Sequence, residues 1–511
     1  MGDFSRIGRA VRREVEIAVP PYGLDHHFQG RAVLPAVEAM QALAAQVSEI
    51  YPHIDVHHLA AARFEKFLPL TADGPSIRAF CDLSEQPGGA IRAALITRRI
   101  AKTAQMSRSV VHAQMDFGNA GDSLPPLALD LAAALEGPCF KVTPERIYAQ
   151  LVPFGSAYRN IVRPLLLTAE GALAHLQAPD LSPGPLGSPF VLDAAFHAAC
   201  VWSQRFAGLV AFPVGIARRR ILSPTQAGQT YVARILPTEP HGPVLRFDAW
   251  ILAPDGRACE VVQGIEMRDV SGGRLQPPDW IRKGVAGEDE PLSFQPDVTI
   301  TLIERDTVMA FAGRCLSDLE HQRMAAMGDR RRTGYLAARL ACKRLARKLS
   351  DNDHRTPPRD LETLAADAVR PVCAKIHGAG ALACSVAHDR RFAVAAAGPG
   401  ALGVDVEQLK AGIEKALHLF ASPDERICAE QFEPGPIHAA IRIWSIKEAV
   451  AKALGISLAQ AWAQTEVVSV GQRESRFELR PGSQQCAYHT PIDDHLVTLV
   501  QLPDHEAEAG A

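Results

Sequence analysis

Two sets of side chains stand at spacings that could do chemistry. In the first, His26, Gly30 and Pro35 follow the pattern HxxxGxxxxP, and Asp193 and His197 lie four residues apart further along. A neutral imidazole can take a proton from carbon when the pocket is dry and the substrate is held against it. His27 follows directly, but the spacing selects His26 as the base and leaves His27 a structural part. On a helix, Asp193 and His197 share a face and a hydrogen bond. A carboxyl group at the edge of an apolar pocket can keep its proton near neutrality and give it to a leaving hydroxide, whereas a helix N-terminus opposes that shift. The sequence leaves this contest open.

In the second set, Asp405 and Glu407 are two apart in GVDVE, which on a strand directs both carboxylates to one face. Adjacent carboxylates repel unless a cation sits between them, and hard oxygen donors of this kind suit Mg²⁺ completed by waters and phosphates. Glu448 in WSIKEAVAKALG offers a third carboxylate, with Lys452 one turn on. Carboxylates, metal and ammonium together indicate phosphate chemistry.

The elements that must position these groups read as follows. From Pro35, Val37, Met40, Leu43, Val47 and Ile50 recur at helical spacing behind a proline at the first turn, which predicts a buried helix. A second helix begins near Asp193, with Phe196, Cys200 and Val201 on one stripe. Stretches such as SIRAFCDL, AIRAALITR, TYVARILP and VLRFDAWIL read as strands. Two sheet-wrapped helices suggest an α+β pseudo-duplicate. Downstream, His321–Lys348 is helical and holds nine Lys or Arg against one acid, Asp329. RRFAVAAA and ALGVDVE flank Gly398-Pro399-Gly400 and read as a hairpin. In WSIKEAVAKALG, Ser445 is expected as N-cap and Gly455 as stop.

Length and composition bound the reading. The 511 residues predict two to four domains, and a Gly-, Pro- and charge-rich stretch over 273–296 is the expected linker. A net charge of −3 excludes a global field for nucleic acid or anionic membrane. The Arg330-Arg331-Arg332 run has a nucleic-acid reading and a solvated-face reading of its own. There is no secretory h-region and no apolar run of spanning length, so neither export nor a membrane is expected. Ten cysteines without a CxxC pair are expected as reduced thiols in a cytoplasmic enzyme.

The first set resembles the dehydratase domains of polyketide synthases, which are two fused hot-dog folds with the signatures HxxxGxxxxP and Dxxx(Q/H). Pro153–Tyr158 is similar to their Tyr-Gly-Pro-x-Phe turn and Phe212–Gly215 to their Leu-Pro-Val strand entry. Pro35-Ala36 and Ser188-Pro189 depart from the family's Pro-Gly and His-Pro. The second set resembles the 4′-phosphopantetheinyl transferases of the surfactin-synthetase-activating type, with (I/V)GIDxE matched by Gly403–Glu407 and W(S/T)xKE(A/S)xxKxxG by Trp444–Gly455. Arg370-Pro371, Cys384–His388 and the helix Tyr335–Lys343 are similar to further parts of that family. Asp389, where the family has serine, is expected to place negative charge near a phosphate site.

Together the resemblances imply an α+β chain: a double hot-dog, two antiparallel sheets each wrapping a central helix, over 1–272, and a pseudo-twofold α+β transferase domain over 297–511. The implied transferase moves phosphopantetheine from CoA to a serine of an apo acyl carrier protein. Asp405, Glu407 and Glu448 hold Mg²⁺, Lys452 and Lys447 stabilise the leaving phosphate, and Glu448 also accepts the serine proton. Arg332, Lys343, Arg370 and His388 grip the nucleotide phosphates. The implied dehydratase turns a 3-hydroxyacyl chain on the same arm into a 2-enoyl one, with His26 as base, Asp193 as acid and His197 orienting the carboxyl group. Dehydratase followed by transferase resembles the C-terminal end of enediyne-type iterative synthases, here expected to be free-standing because the chain begins with Met1. One rival makes the hot-dog half a non-catalytic scaffold for carrier docking or dimerisation. Another makes the whole chain a CoA-binding thioesterase or hydratase.

Overall fold

The computed structural model describes residues 10–71, 74–100, 107–118, 135–282, 294, 297–307, 312–350, 356–361, 363–364, 382–480 and 482–503. The chain divides into two compact units, Met1–Pro125 with Phe140–Gly284, and Pro126–Cys139 with Val285–Ala511. This division differs from the expected one in two places. The start of the expected linker is folded, since helix Asp279–Arg282 buries Ile281 in unit 1. A segment from between the halves of unit 1 belongs to unit 2.

Unit 1 is built on one antiparallel sheet of twelve strands. Its first half runs, in spatial order, Val11–Ala18, Ser76–Glu85, Ile91–Ile100, Ser107–Phe117 and His58–Phe64. Its second half continues Phe212–Ile221, Ala258–Arg268, Val244–Leu252, Thr230–Glu239, Gly171–Gln177, Leu165–Thr168 and Phe140–Val142. The halves join where Ala62 pairs with Ile216. Each half wraps a helix. Helix α1, Ala36–Ile50, turns Val37, Met40, Leu43, Ala44 and Val47 inward at the predicted spacing. Helix α2, Pro189–Trp202, is buried at every position, the signature of a helix enclosed on all sides. Pro189 opens α2, so Asp193 sits one turn inside the helix and not at its N-terminal end.

Unit 2 has two helix-on-sheet halves. Strands Thr299–Glu304, Phe392–Gly398 and Ala383–His388 form one sheet, on which helix α3, Asp329–Leu349, lies. The basic stretch is broken at Gly328, which separates α3 from the helix Asp318–Ala325. Strands Ala401–Gln408, His495–Leu502, Ser483–Ile492, Glu474–Leu479 and Thr465–Ser469 form the other sheet, against helix α4, Pro436–Leu454. Phe392–Gly398 and Ala401–Gln408 are strands as predicted, but they enter different sheets and do not form a hairpin. Gly455 ends α4 in the left-handed region at φ 69°, whereas Ser445 lies mid-helix because α4 starts at Pro436.

Leu135–Cys139 covers the outer edge of the three-stranded sheet. Glu136 and Gly137 bridge to Ile303, and Gly137 N donates to Leu302 O at 2.9 Å. The Glu136 carboxylate accepts from Thr301 Oγ1 at 3.0 Å and meets Arg344 and Lys348 of α3. Eight described cysteines are outside any disulfide, whereas Cys384 is disulfide-bonded. Among the described residues, no helix is long and apolar enough to cross a membrane.

Candidate active sites

In unit 1 the residues before α1 hold His26 by its backbone and its ring. Val33 N donates to His26 O at 2.9 Å, and Nδ1 lies 3.2 Å from Val33 O. That carbonyl only accepts, so it fixes the proton on Nδ1 and leaves the Nε2 lone pair free. Phe154 and Tyr158 pack on the imidazole at ring-centre distances of 4.4 and 5.2 Å. Their turn is clamped to Asp25, whose carbonyl accepts from Gly155 N at 2.8 Å and whose carboxylate accepts from Ala157 N at 2.9 Å. A β-carbon on Gly155 would stand 2.3 Å from Asp25 Cγ, so only glycine allows this approach.

Asp193 reaches the same place from α2. Its Oδ1 is 4.0 Å from His26 Nε2, and its Oδ2 is 2.9 Å from His197 Nε2. The Tyr148 hydroxyl accepts from Ile161 N at 2.9 Å and lies 3.5 Å from His197 Nδ1, which directs the Nε2 proton of His197 to Asp193. Burial pushes the Asp193 carboxyl up, but His197 and then His26 outweigh it and the net shift is downward. Burial lowers the His26 imidazole further than Asp193 raises it, so His26 rests neutral. Sequence reasoning gave no role to Glu38, on the first turn of α1, whose carboxyl is raised to about 7 by burial and by Asp193. A cavity of about 530 Å³ opens beside His26, Asp193 and His197, walled by Phe154, Phe196, Phe212 and Met267.

In unit 2 the closeness of β-strand and helix assembles the site. Gly403, in strand Ala401–Gln408, sits against Ala449 of α4. This brings Asp405 and Glu407 beside Glu448 and Lys452. Lys452 Nζ is 2.7 Å from Asp405 Oδ1 and 3.5 Å from Glu448 Oε2. Ser445 Oγ donates to Asp405 Oδ2 at 2.7 Å, and Trp444 Nε1 donates to Glu407 Oε1 at 3.1 Å. Burial, then Asp405 and Glu448, raise the Glu407 carboxyl to about 7. Burial disfavours the Lys452 ammonium, but Asp405 and Glu448 outweigh it and raise its pKa. Three carboxyl groups around one ammonium form a hard-oxygen, over-negative pocket, and the strain on Glu407 is what a divalent cation would relieve, so the donor set fits Mg²⁺. The side chains themselves are turned to Lys452, Ser445 and Trp444, and among the described residues no three such groups stand in a ready ligand arrangement.

His388 stands within electrostatic reach of Lys452. Burial, then Arg305 and Lys452, lower its pKa, and its ring lies against Gly334 of α3, where a β-carbon would come within 2.7 Å of Cε1. Arg305 was missed by sequence reasoning because it follows strand Thr299–Glu304 outside any motif; its guanidinium donates to Asp389 O. The charge of Asp389 is not free to repel a phosphate. Its carboxylate is 2.7 Å from His495 Nε2 and accepts from the backbone N–H groups of Arg391 and Phe392.

Two expected phosphate ligands are corrected. Lys447 is buried, its Nζ 2.7 Å from Glu425 Oε2 and 2.8 Å from Phe420 O, an internal ion pair facing away from solvent. Lys343 is likewise enclosed, 2.9 Å from Glu320 Oε2 and bonded to the carbonyls of Pro358 and Leu361. An ammonium buried to 1 % or less and held in an internal ion pair is closed off from a nucleotide phosphate in solvent. Arg332 is exposed on α3, donating to Met327 O and 3.2 Å from Asp329. Arg370 lies outside the described residues.

Residues 401–500 match the 4′-phosphopantetheinyl transferase superfamily, and residues 128–277 match the polyketide synthase dehydratase N-terminal domain. Similar solved structures include the dehydratase domain of RzxB from Pseudomonas fluorescens, 17% identical, covering 50% of this chain and 94% of that one with a TM-score of 0.41. The dehydratase domain of a mycocerosic acid synthase-like polyketide synthase is 18% identical and covers 52% and 96%, with a TM-score of 0.41. A trans-AT polyketide synthase dehydratase domain from Brevibacillus brevis is 17% identical and covers 51% and 93%, with a TM-score of 0.41. Among curated proteins none matches the chain. The chain thus carries a polyketide synthase dehydratase domain, matched over residues 128–277, and a 4′-phosphopantetheinyl transferase domain, matched over residues 401–500.

Proposed function

We propose that this bifunctional biosynthetic protein serves one partner, an acyl carrier protein, twice. Unit 2 loads the apo carrier with phosphopantetheine from CoA, and unit 1 removes water from a 3-hydroxyacyl group on the loaded arm. The observation that carries most of this reading is the 4.0 Å gap between His26 Nε2 and Asp193 Oδ1 beside an apolar cavity. The gap is too wide for a hydrogen bond between them, and both groups line the cavity, which suits a substrate that presents its α-carbon to the base and its β-hydroxyl to the acid from the cavity side.

In the dehydration, the Nε2 lone pair of His26 takes the α-proton, anchored by Nδ1–H on Val33. The C–H electrons form the double bond as the C–O bond breaks. The hydroxyl leaves as water with a proton from Asp193, whose carboxyl His197 holds in place. His26 then returns its proton to the acid.

In the transfer, the carrier serine oxygen attacks the phosphorus next to the pantetheine, and the bond to the 3′,5′-adenosine bisphosphate oxygen breaks. Asp405, Glu407 and Glu448 would hold Mg²⁺, which neutralises charge on the pyrophosphate when bound. Glu448 accepts the serine proton directly or through water. Lys452 faces the leaving phosphate, and His388 and Arg305 line its nucleotide side.

Apo carrier protein incubated with the chain, CoA and Mg²⁺ should gain one phosphopantetheine by mass, and Glu407→Ala should abolish the gain. A synthetic 3-hydroxyacyl carrier should lose water with the wild type and not with His26→Ala. Loading without any dehydration would leave the hot-dog half a scaffold, and an unchanged carrier mass would remove the transferase reading.

A further inference from the structure

In unit 2 one histidine ring stands between two carboxylates. His495, at the start of strand His495–Leu502, is 2 % exposed, and Phe392 packs edge-on against its ring at 4.9 Å. Its Nε2 is 2.7 Å from Asp389 Oδ2 and its Nδ1 is 2.7 Å from Asp494 Oδ1. An ionised carboxylate only accepts, so both ring nitrogens carry a proton and the ring is an imidazolium. Both carboxyl groups are held ionised. Burial raises that of Asp389, but His495 and the backbone N–H groups of Phe392 and Arg391 outweigh it, and Gln408 and then His495 lower that of Asp494. Burial opposes the charge on the imidazole, but Asp389 and Asp494 outweigh it and raise its pKa.

The other charges around the ring are engaged elsewhere. Arg391 is 2.7 Å from Glu304 and 2.5 Å from Asp493, and reaches Asp494 at 3.3 Å. Arg305 meets Asp389 at its carbonyl oxygen and not at its carboxylate. Among the described residues, the cation bonded to the Asp389 carboxylate is therefore His495. Asp389 directly follows His388, and its carbonyl anchors Arg305. The charge state of this one carboxylate thus bears on both groups that line the nucleotide side of the transferase site.

We propose that His495 is a positioning residue of the transferase, whose imidazolium cancels the charge of Asp389 and so keeps the His388 and Arg305 side receptive to the phosphates of CoA. This deepens the transferase reading above and rests on it. The pKa of His495 is raised above its ordinary value of 6.5, so the compensation is complete below that value and is lost as pH rises through the folded-state pKa. A neutral ring has one N–H for two carboxylates and no charge to offset either. Asp389 then stands ionised and uncompensated one residue from His388, where it opposes an incoming phosphate. By linkage, the bound phosphates in turn hold the proton on His495.

The test is the affinity of the full-length chain for CoA, without divalent cation, across about pH 6.5 to 9. Wild-type affinity should fall by about fivefold or more over this range. His495→Gln, which can still donate to Asp389 but carries no charge, should bind weakly at every pH. Asp389→Asn should keep the tight affinity with a shallower slope, and the double variant should recover what His495→Gln alone lost. A purely structural role would leave the double variant as weak as His495→Gln. That result, or wild-type affinity in His495→Gln, overturns the proposal. Should His495→Gln not fold, equal slopes in the wild type and Asp389→Asn overturn it.

Nuclear magnetic resonance of the His495 ring separates failure of this inference from failure of the transferase reading. The ring should titrate above 6.5 in the substrate-free chain and lower in Asp389→Asn. With CoA bound its pKa should rise by about 0.7 or more, the linkage counterpart of a fivefold change in affinity. A ring already neutral at pH 6.5 overturns the inference even if carrier loading is fast. CoA binding that ignores both pH and His495→Gln overturns the inference and leaves the transferase standing. No CoA binding at any pH, with an unchanged carrier mass, removes the transferase reading and the inference with it.

Discussion

Gly403 and Ala449 touch backbone to backbone: a β-carbon on the glycine would lie 1.8 Å from the Ala449 carbonyl oxygen and 2.9 Å from Ala453 N. A strand and a helix approach this closely only where no side chain intervenes. The contact sets how near Asp405 and Glu407 stand to Glu448 and Lys452. Gly403→Ala should force the two elements apart, destabilising unit 2 by about 3 kcal/mol or more. A fall of roughly 6–12 °C in the unit 2 transition is expected, with loss of carrier loading in the protein that still folds. Loading at the wild-type rate in a Gly403→Ala protein would show that this spacing does not govern the site.

Lys447 and Lys452 share α4 but should differ in transfer. Lys447→Met leaves Glu425 buried and charged without its ammonium, and removing one partner of such a pair costs roughly 3–5 kcal/mol. Its thermal midpoint should drop while the folded fraction still loads carrier. Lys452→Met leaves buried Asp405 with Ser445 but without its ammonium, so it too should lose stability, and its folded fraction should fail in transfer. Melting curves beside loading rates distinguish the two, and wild-type stability in Lys447→Met would return that lysine to the list of phosphate ligands.

Cation affinity in unit 2 should depend on pH through Glu407. Its folded-state carboxyl is raised to about 7 from 4.5, so between those values the folded chain holds a proton that the unfolded chain has released. Stability from this group therefore falls as pH rises through that window and levels off above it. A divalent cation must displace the same proton. Mg²⁺ affinity should climb up to about tenfold per pH unit below about 7 and flatten above it. Calorimetry in buffers of different ionisation heat should register proton release only on the lower side, and Glu407→Gln should abolish the slope.

The strip Leu135–Cys139 makes the boundary of unit 2 discontinuous in sequence. A chain cut to begin at Val285 lacks the backbone that caps Ile303 and the Glu136 carboxylate that neutralises Arg344 and Lys348. An uncovered edge strand invites association with other chains. Such a truncation should melt lower and aggregate, and a peptide spanning 126–139 added in trans should raise its melting temperature. Equal stability with and without the peptide would make the strip dispensable.

Several expectations failed for reasons that are physical. Lys447 precedes Glu448 by one residue, and five residues separate it from Lys452; on a helix that is roughly 140° of rotation, so the two lysines face different surroundings. Lys343 was read with the basic residues around it, yet Glu320, on a different helix, encloses it. Ser445 has the chemistry of a cap, but its hydroxyl bonds Asp405 across the fold because the helix begins earlier, at Pro436. Gly398-Pro399-Gly400 does separate two strands, but which sheet each strand joins depends on partners far along the sequence.

What the sequence determined by itself is local: the strand that aligns Asp405 with Glu407, the helical turn that aligns Asp193 with His197, and the alternation and periodicity that build sheets around two helices. Those relations span two to four residues and follow from backbone geometry alone. Only the tertiary structure decided which lysine is buried, that Arg305 bonds the Asp389 carbonyl next to His388, that Glu38 lies within electrostatic reach of Asp193, and that residues 135–139 complete unit 2. Each of these rests on burial and on charge brought together from distant parts of the chain, and neither is set by the order of neighbouring residues.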